Sequence, residues 1–203
     1  SGLHILRAHL QHVLKLPDGI LVISAHGINA AQHQVGSRPV GIKLYRLRKL
    51  ALGRFDIART ELGAPPIAQD PAIAQAAQAH AEFYVAHANS YTANNLSPHS
   101  EDASFGAGFT GVNHGQRMKA AGFDGTPGAE VMAFTGGPAG AIDGWLATLY
   151  HRLPLIEPRS EAMGFGLAQK GSARTEVMDF GVRGGRKDDP IIVYPWPGQD
   201  SVP

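Results

Sequence analysis

Three stretches from the middle of the chain onward carry groups that could do chemistry together: His99-Ser100-Glu101, Glu130 and His151. Glu130 stands in a run, Ala129 to Thr135, whose alternation reads as a strand with Glu130, Met132 and Phe134 on one face. A carboxylate on a buried strand face is costly unless a cation or donor meets it. Two imidazoles, His99 and His151, with one acid are the inventory for Zn²⁺ with an open coordination position. Such a metal would activate a bound water, and Glu130 or Glu101 would take its proton. The same four groups could act as general acid and base without metal. A third reading is structural: Glu130 with Arg152, or Glu130 with one histidine, forms a satisfied buried network that orders the loop around His99. Spacing alone favours this third reading.

Other chemistries are poorly supported. There is no cysteine, which excludes disulfides, thiolate metal sites and a Cys nucleophile. No activated Ser is visible either, so a covalent mechanism is disfavoured. Gly106-Ala107-Gly108-Phe109-Thr110-Gly111 matches a dinucleotide fingerprint, but it follows the polar run His99 to Asp102 and not a strand. Asn95-Leu96-Ser97 fits a glycosylation sequon, which has meaning only in a eukaryotic secretory setting.

The elements that must position these groups begin near Leu47. Leu50, Leu52, Phe55, Ile57, Ala58 and Leu62 predict a helix closed by Gly63 and Pro65-Pro66. Asp70-Pro71 reads as an N-cap followed by proline at the first helical position, opening an Ala-rich helix to about Ala88. Ile73, Ala77, His80, Tyr84 and His87 share one face of it, and the two histidines read first as core-edge groups with local hydrogen bonds. Residues 89–113 read as a long loop. A short helix is expected from His114 to Ala121, closed by Gly122, and another from about Ala139 to His151, stopped by Pro154. That ending would place His151 at a helix C-terminus, which favours a cationic imidazole. Strands follow near Met163–Gln169 and Thr175–Val182. Helices, then strand, helix and hairpin predict a mixed α+β domain with helices on a small, mostly antiparallel sheet.

The chain has 203 residues, 43% hydrophobic and 17% charged, enough apolar material for one globular core. No apolar run approaches the ~20 residues of a membrane span. The net charge of +1 hides an asymmetry: residues 1–50 hold seven basic side chains and one acid, and half of the ten histidines. Such a head could meet nucleic acid or anionic lipid, but it reads first as a solvated extension, and no nucleic-acid partner is expected. It lacks the apolar core of a secretory signal, which would then lie upstream. Leu3, Leu6, Leu10, Val13 and Leu14 follow helical spacing before the turn signal Pro17-Asp18-Gly19, and residues 24–42 read as linker.

Over about residues 50–182 the chain resembles the CAP superfamily (cysteine-rich secretory proteins, antigen 5 and pathogenesis-related proteins; SCP-like domains) in its bacterial branch. The matching pieces come in family order: Ala58-Arg59-Thr60-Glu61-Leu62-Gly63-Ala64-Pro65-Pro66-Ile67, Asp70-Pro71, Ala79-His80-Ala81 and His99-Ser100-Glu101. Then follow Arg117, Ala121-Gly122-Phe123, Ala129-Glu130-Val131, Gly144-Trp145-Leu146, Tyr150-His151-Arg152-Leu153-Pro154-Leu155, Gly164-Phe165-Gly166 and Asp179-Phe180-Gly181. Val131 stands where the family usually has Asn, and the late His-Tyr-Thr-Gln element of eukaryotic members is absent.

The resemblance implies an α-β-α sandwich, an extracellular or cell-envelope location, and a His/Glu-lined cleft that binds a divalent metal in some members. Its cleft positions fall on His99, Glu130 and His151, with Glu101 as a fourth. On this reading residues 1–46 are a basic extension, 47–183 the CAP domain and 184–203 a Pro/Gly-rich tail. The leading expectation is a binding module without turnover, its partner a small molecule, lipid or peptide, or a metal such as Zn²⁺ on His99 and His151. Met132, Phe134, Phe105 and Phe109 would supply apolar walls, or belong to the core. The alternatives are a metal-dependent, peptidase-like hydrolase and a structural domain whose function lies in surface loops.

Overall fold

The computed structural model describes residues 13–16, 19–22, 52–135, 137–185, 190–195 and 198. The chain divides into two compact units, Ser1–Gly36 and Ser37–Pro203. In the first, β1 (Val13–Leu16) and β2 (Gly19–Val22) pair antiparallel with Leu16 opposite Gly19, leaving Pro17-Asp18 between them. The helix expected through Val13 and Leu14 is therefore corrected to a hairpin. Two short apolar runs stand on either side of the turn signal in the sequence, and that pattern favours cross-strand pairing over a helical spacing. Leu3, Leu6, Leu10 and the linker expected over 24–42 lie outside the described residues.

In the second unit, α1 is described over residues 52–61. It is followed by β3 (Ala68–Gln69), α2 (Pro71–Ala86) and α3 (Ala88–Asn94). A 3-10 turn (Ala103–Phe105) leads to α4 (His114–Ala120), β4 (Thr126–Ala133), α5 (Pro138–Ala147) and α6 (Leu149–Ile156). The hairpin β5 (Ala162–Lys170) and β6 (Ala173–Val182) completes the domain. The sheet order is β3-β5-β6-β4, parallel only between β3 and β5.

Strand alternation sorts the side chains into two cores. Val131, Ala133, Met163, Phe165, Met178 and Phe180 point to one face and pack with Phe55, Ile142, Trp145 and Leu155 from α1, α5 and α6. On the other face Met132 and Val177 meet Ala77 and Ala81 of α2, while Ile73 packs with Met118 and Phe123 beside α4. The result is the expected α+β fold, an α-β-α sandwich around a small, mostly antiparallel sheet.

α2 starts where its sequence predicts. The Asp70 carboxylate accepts the backbone N–H of Ala72 and Ile73 at 2.9 and 3.1 Å, and Pro71 follows it. The helix lies unusually close to the sheet because β5 presents glycine twice. A Cβ on Gly164 would fall 2.1 Å from the Ala74 nitrogen, and one on Gly166 would fall 2.3 Å from the Ala77 carbonyl carbon.

Three expectations need correction. The segment 89–113 is not all loop: α3 occupies Ala88–Asn94 because burial of Tyr91 outweighs its weak helical residues. The helix expected from Ala139 to His151 breaks at Thr148, which is extended (φ −114°, ψ 139°). Pro154 consequently lies inside α6 and does not stop its predecessor; an eight-residue helix loses a single backbone bond to it.

Candidate functional site

Loop 95–113 carries His99 and Glu101 and is held by buried charge. Glu101 points inward. Its Oε1 lies 2.9 Å from His80 Nδ1 on α2, and its Oε2 accepts the backbone N–H of Thr110 at 2.8 Å. His80 Nε2 lies 2.9 Å from the Pro98 carbonyl. Both ring nitrogens of His80 thus face oxygen atoms, which fixes the orientation of the ring between α2 and the loop. Tyr91 of α3 donates its hydroxyl to the Ser100 carbonyl at 2.7 Å, and burial, followed by the Glu101 charge, raises its phenol pKa.

Arg117 is the cation between the two acids. α4 presents it because Asn113 caps the helix at Gln116 and Gly122, at φ 92°, terminates it. The fully buried guanidinium donates to Glu130 Oε2 at 2.6 Å and to the His99 carbonyl at 3.2 Å, and its Nε lies 3.9 Å from Glu101 Oε1. One side chain therefore fastens helix, loop and sheet together.

Glu130 in turn reaches the surface through His99. Its Oε1 lies 2.9 Å from His99 Nδ1, with the Glu130 side chain 1% exposed and the His99 side chain 45% exposed. Burial pulls the Glu130 carboxyl upward. The His99 hydrogen bond, then the Arg117 and His80 charges, overcome that pull and hold it at about 2. An ionised Glu130 only accepts, so a neutral His99 ring carries its proton on Nδ1 and leaves Nε2 as an acceptor. Nε2 has no hydrogen bond among the described residues.

Asp179 lies opposite Glu130 in the β4–β6 register, fully buried, with no cation on its carboxyl oxygens among the described residues. Burial, then the Glu130 carboxylate, raise it well above the usual carboxyl range, which favours its protonated form. Arg117 balances the Glu130 charge directly. A dry interior demands such neutrality.

The structure brings His99 and Glu130 into one hydrogen bond and places Glu101 beneath the same loop. His151 sits in the first turn of α6, not at the C-terminus of the Trp145 helix, because of the break at Thr148. Its Nδ1 lies 2.8 Å from Thr148 Oγ1, and no hydrogen bond joins it to His99, Glu101 or Glu130 among the described residues. Arg152, weighed above as a partner for Glu130, lies instead 3.7 Å over the Tyr194 ring. Met132 is core, whereas Phe134 and Phe109 are exposed and Tyr84 lies 5.1 Å from Phe134, centroid to centroid. Among the described residues no three His, Asp or Glu side chains are arranged to hold a metal ion. The oxygens of Glu130 and Glu101 already receive N–H donors.

Sequence reasoning missed Arg117 as the counter-charge and Asp179 as a second buried acid beside Glu130. The signals were there: an arginine within a short amphipathic helix, and one carboxyl in the apolar strand Val177-Met178-Asp179-Phe180. The Gly106–Gly111 pattern follows the 3-10 turn and shapes the loop. Gly106 and Gly108 have φ of 112° and 94°, and a Cβ on Gly111 would meet Gln116 Cβ at 2.7 Å.

The sequence profile of the "Cysteine-rich secretory protein family" (CAP) matches residues 52–180. No curated protein gives a match. Among solved structures, an outer surface protein of Borrelia burgdorferi is similar, with a TM-score of 0.51 and 16% identity, over 74% of this chain and 98% of that one. An extracellular protein containing an SCP domain from Bacillus anthracis is similar at the same TM-score and 19% identity. That match covers 74% of this chain and 45% of the Bacillus one. Likeness at this identity concerns the fold. No helix among the described residues is long and apolar enough to cross a membrane.

Proposed function

Because the chain belongs to the cysteine-rich secretory protein (CAP) family, we propose that it is an exported ligand-binding domain that works without turnover, with His99 contacting a small molecule, lipid or peptide. One observation carries this reading: a buried, ionised Glu130, held by Arg117, orients a half-exposed imidazole. Fixing the tautomer makes His99 Nε2 a preorganised acceptor, and ordering is accomplished before any ligand arrives. Exposed Phe134 and Phe109 support an apolar portion in that ligand. The outer-surface and extracellular origins of the two similar structures support export.

Zinc is the rival occupant. His99 Nε2 offers one ligand, and His151 would have to leave Thr148 to offer a second. A hydrolase is the other rival, since a carboxylate-oriented imidazole is also a general base.

The test is a long-range ¹H–¹⁵N spectrum with His99 assigned through His99→Ala. A neutral ring protonated on Nδ1 in wild type, shifting toward Nε2–H in Glu130→Gln, is the expected result; Nε2–H in the wild type overturns the reading. Titration with an amphiphile and peptide fragment library should then perturb the His99 signals. Zinc uptake lost in both His99→Ala and His151→Ala would turn the assignment to a metal site. Peptide cleavage lost in Glu130→Gln would turn it to a hydrolase.

A further inference from the structure

Asp179 is a buried acid that no cation meets among the described residues. It lies directly opposite Glu130 on β4 and Gly164 on β5. Directly opposed residues share a face, with Cβ positions about 4.5–5.5 Å apart. That face is the α2 side, since a Cβ on Gly164 would meet the backbone of Ile73 and Ala74. Asp179 is 0% exposed and the Glu130 side chain 1%, so both carboxyls are out of bulk water. A register shift between Pro127 and Glu130 inserts one extra residue into β4, and it brings Glu130 rather than Ala129 opposite Asp179.

The two carboxyls differ in their company. Glu130 meets His99 Nδ1 on Oε1 at 2.9 Å and an Arg117 N–H on Oε2 at 2.6 Å. Among the described residues no N–H group reaches either Asp179 oxygen, and its side-chain hydrogen bond is with Glu130. Ionised carboxylates only accept, so a bond between these two needs one proton. Donors favour the charge on Glu130, and their lack favours the proton on Asp179. Burial and the Glu130 charge both raise the Asp179 carboxyl, in keeping with that placement. The other ionisable groups around the pair are Arg117 from α4, His80 from α2, His99 from the loop and Tyr91 from α3. Glu101 joins through His80 and Arg117, and β5 adds none, because Gly164 has no side chain.

We propose that Asp179 is a positioning residue of the His99 site: its carboxyl O–H donates to Glu130 and, with Arg117 and His99 Nδ1, fixes that carboxylate in place. The inference rests on the reading of His99 as an acceptor oriented by Glu130. An O–H···O⁻ bond is short and strong, and the dry interior strengthens it further. Arg117 holds Glu130 from α4 and His99 from the loop, while Asp179 holds it from within the sheet, so the carboxylate keeps one orientation. The extra residue in β4 serves this contact, as bulges beside functional sites re-aim a side chain. A carboxylate that holds three donors is also a poor proton acceptor, which suits a support for His99 better than a base.

The experiment is infrared difference spectroscopy of the full chain at pH 7, with the His99 ring followed in long-range ¹H–¹⁵N spectra. Wild type should show a protonated-carboxyl C=O stretch that Asp179→Asn removes. Glu130→Gln should keep the band and move it to higher frequency, because the O–H loses its anionic acceptor. Asp179→Asn, whose amide still donates, should keep the His99 proton on Nδ1. Asp179→Leu cannot donate, so the Glu130 charge concentrates on its remaining partners and the His99 Nδ1–H resonance should move downfield. A wild type without the band overturns the inference and leaves the His99 reading standing. So does a band that Glu130→Gln does not move, or an unmoved His99 signal in folded Asp179→Leu. Nε2–H at His99 in wild type overturns that reading and the inference with it. Should Asp179→Leu fail to fold, the wild-type, Asp179→Asn and Glu130→Gln spectra decide alone.

Discussion

Replacing Gly164 with alanine should damage fold and site together. The added Cβ would stand 2.1 Å from the Ala74 backbone nitrogen and 2.3 Å from the Ile73 carbonyl carbon, where ordinary contact begins at 3.4 Å. These neighbours are backbone atoms of α2, so no side chain can rotate aside. The helix must retreat by about 1.3 Å. α2 also carries His80, whose Nδ1 lies 2.9 Å from Glu101 Oε1. A retreat of that size stretches the bond to about 4 Å, beyond hydrogen-bonding range. Overpacking of a core costs about 1–3 kcal/mol, and loss of a charged hydrogen bond about 1.5–3 kcal/mol, so a total of about 2.5–6 kcal/mol is expected. Urea unfolding followed by tryptophan fluorescence measures it, and the His80 ring N–H signals report the site directly. Gly144→Ala is the control, because its Cβ meets nothing within 4 Å and α5 gains helical propensity; it should be neutral or stabilising. A Gly164→Ala protein destabilised by less than 1 kcal/mol, or one whose His80 signals do not move, would refute the claim that glycine sets the height of α2 above the sheet.

Two further outcomes follow from the buried charges. Arg117→Ala strands Glu130 and should cost about 3–5 kcal/mol in urea unfolding, while Arg117→Met with Glu130→Gln should recover most of that loss. Asp179 keeps its proton in the folded state at pH values where the unfolded chain has lost it. Its contribution to stability is therefore full below about pH 3.8 and falls as pH rises toward its elevated folded value. Asp179→Asn should then be more stable than wild type at pH 7, with the advantage shrinking on acidification in pH-resolved unfolding. Glu130 acts in the opposite sense: its contribution is present above about pH 4.5 and is lost as pH falls toward 2. An Asp179→Asn protein that is less stable than wild type at pH 7 and no different at pH 4 would contradict this assignment.

Several elements were legible from short-range signals. Asp70-Pro71 opens α2, Gly63 and Gly122 close α1 and α4 at positive φ, and the β5–β6 hairpin lies within two residues of its expected limits. Each depends on chemistry within a few positions of the chain: a side-chain oxygen beside free N–H groups, a residue without Cβ, an alternation of two. Where tertiary burial competed with propensity, local signals failed. α3 forms from Ala-Asn-Ser-Tyr-Thr-Ala-Asn because Tyr91 is buried, and the helix after Pro138 breaks at Thr148 although its pattern runs on.

The sequence by itself determined the α+β class, the family, the boundaries of most elements and the presence of a carboxylate, Glu130, that had to find a partner. It could not select that partner. Arg117, His99 and Asp179 stand 13, 31 and 49 positions away, and no local rule prefers them over Arg152. The β4–β6 register set Asp179 beside Glu130, and the glycines of β5 brought α2 and His80 down onto the loop. Charges compensate one another only where folding has removed the water between them. The site is therefore a property of the assembled layers, and the residues that compose it could be named before it could be drawn.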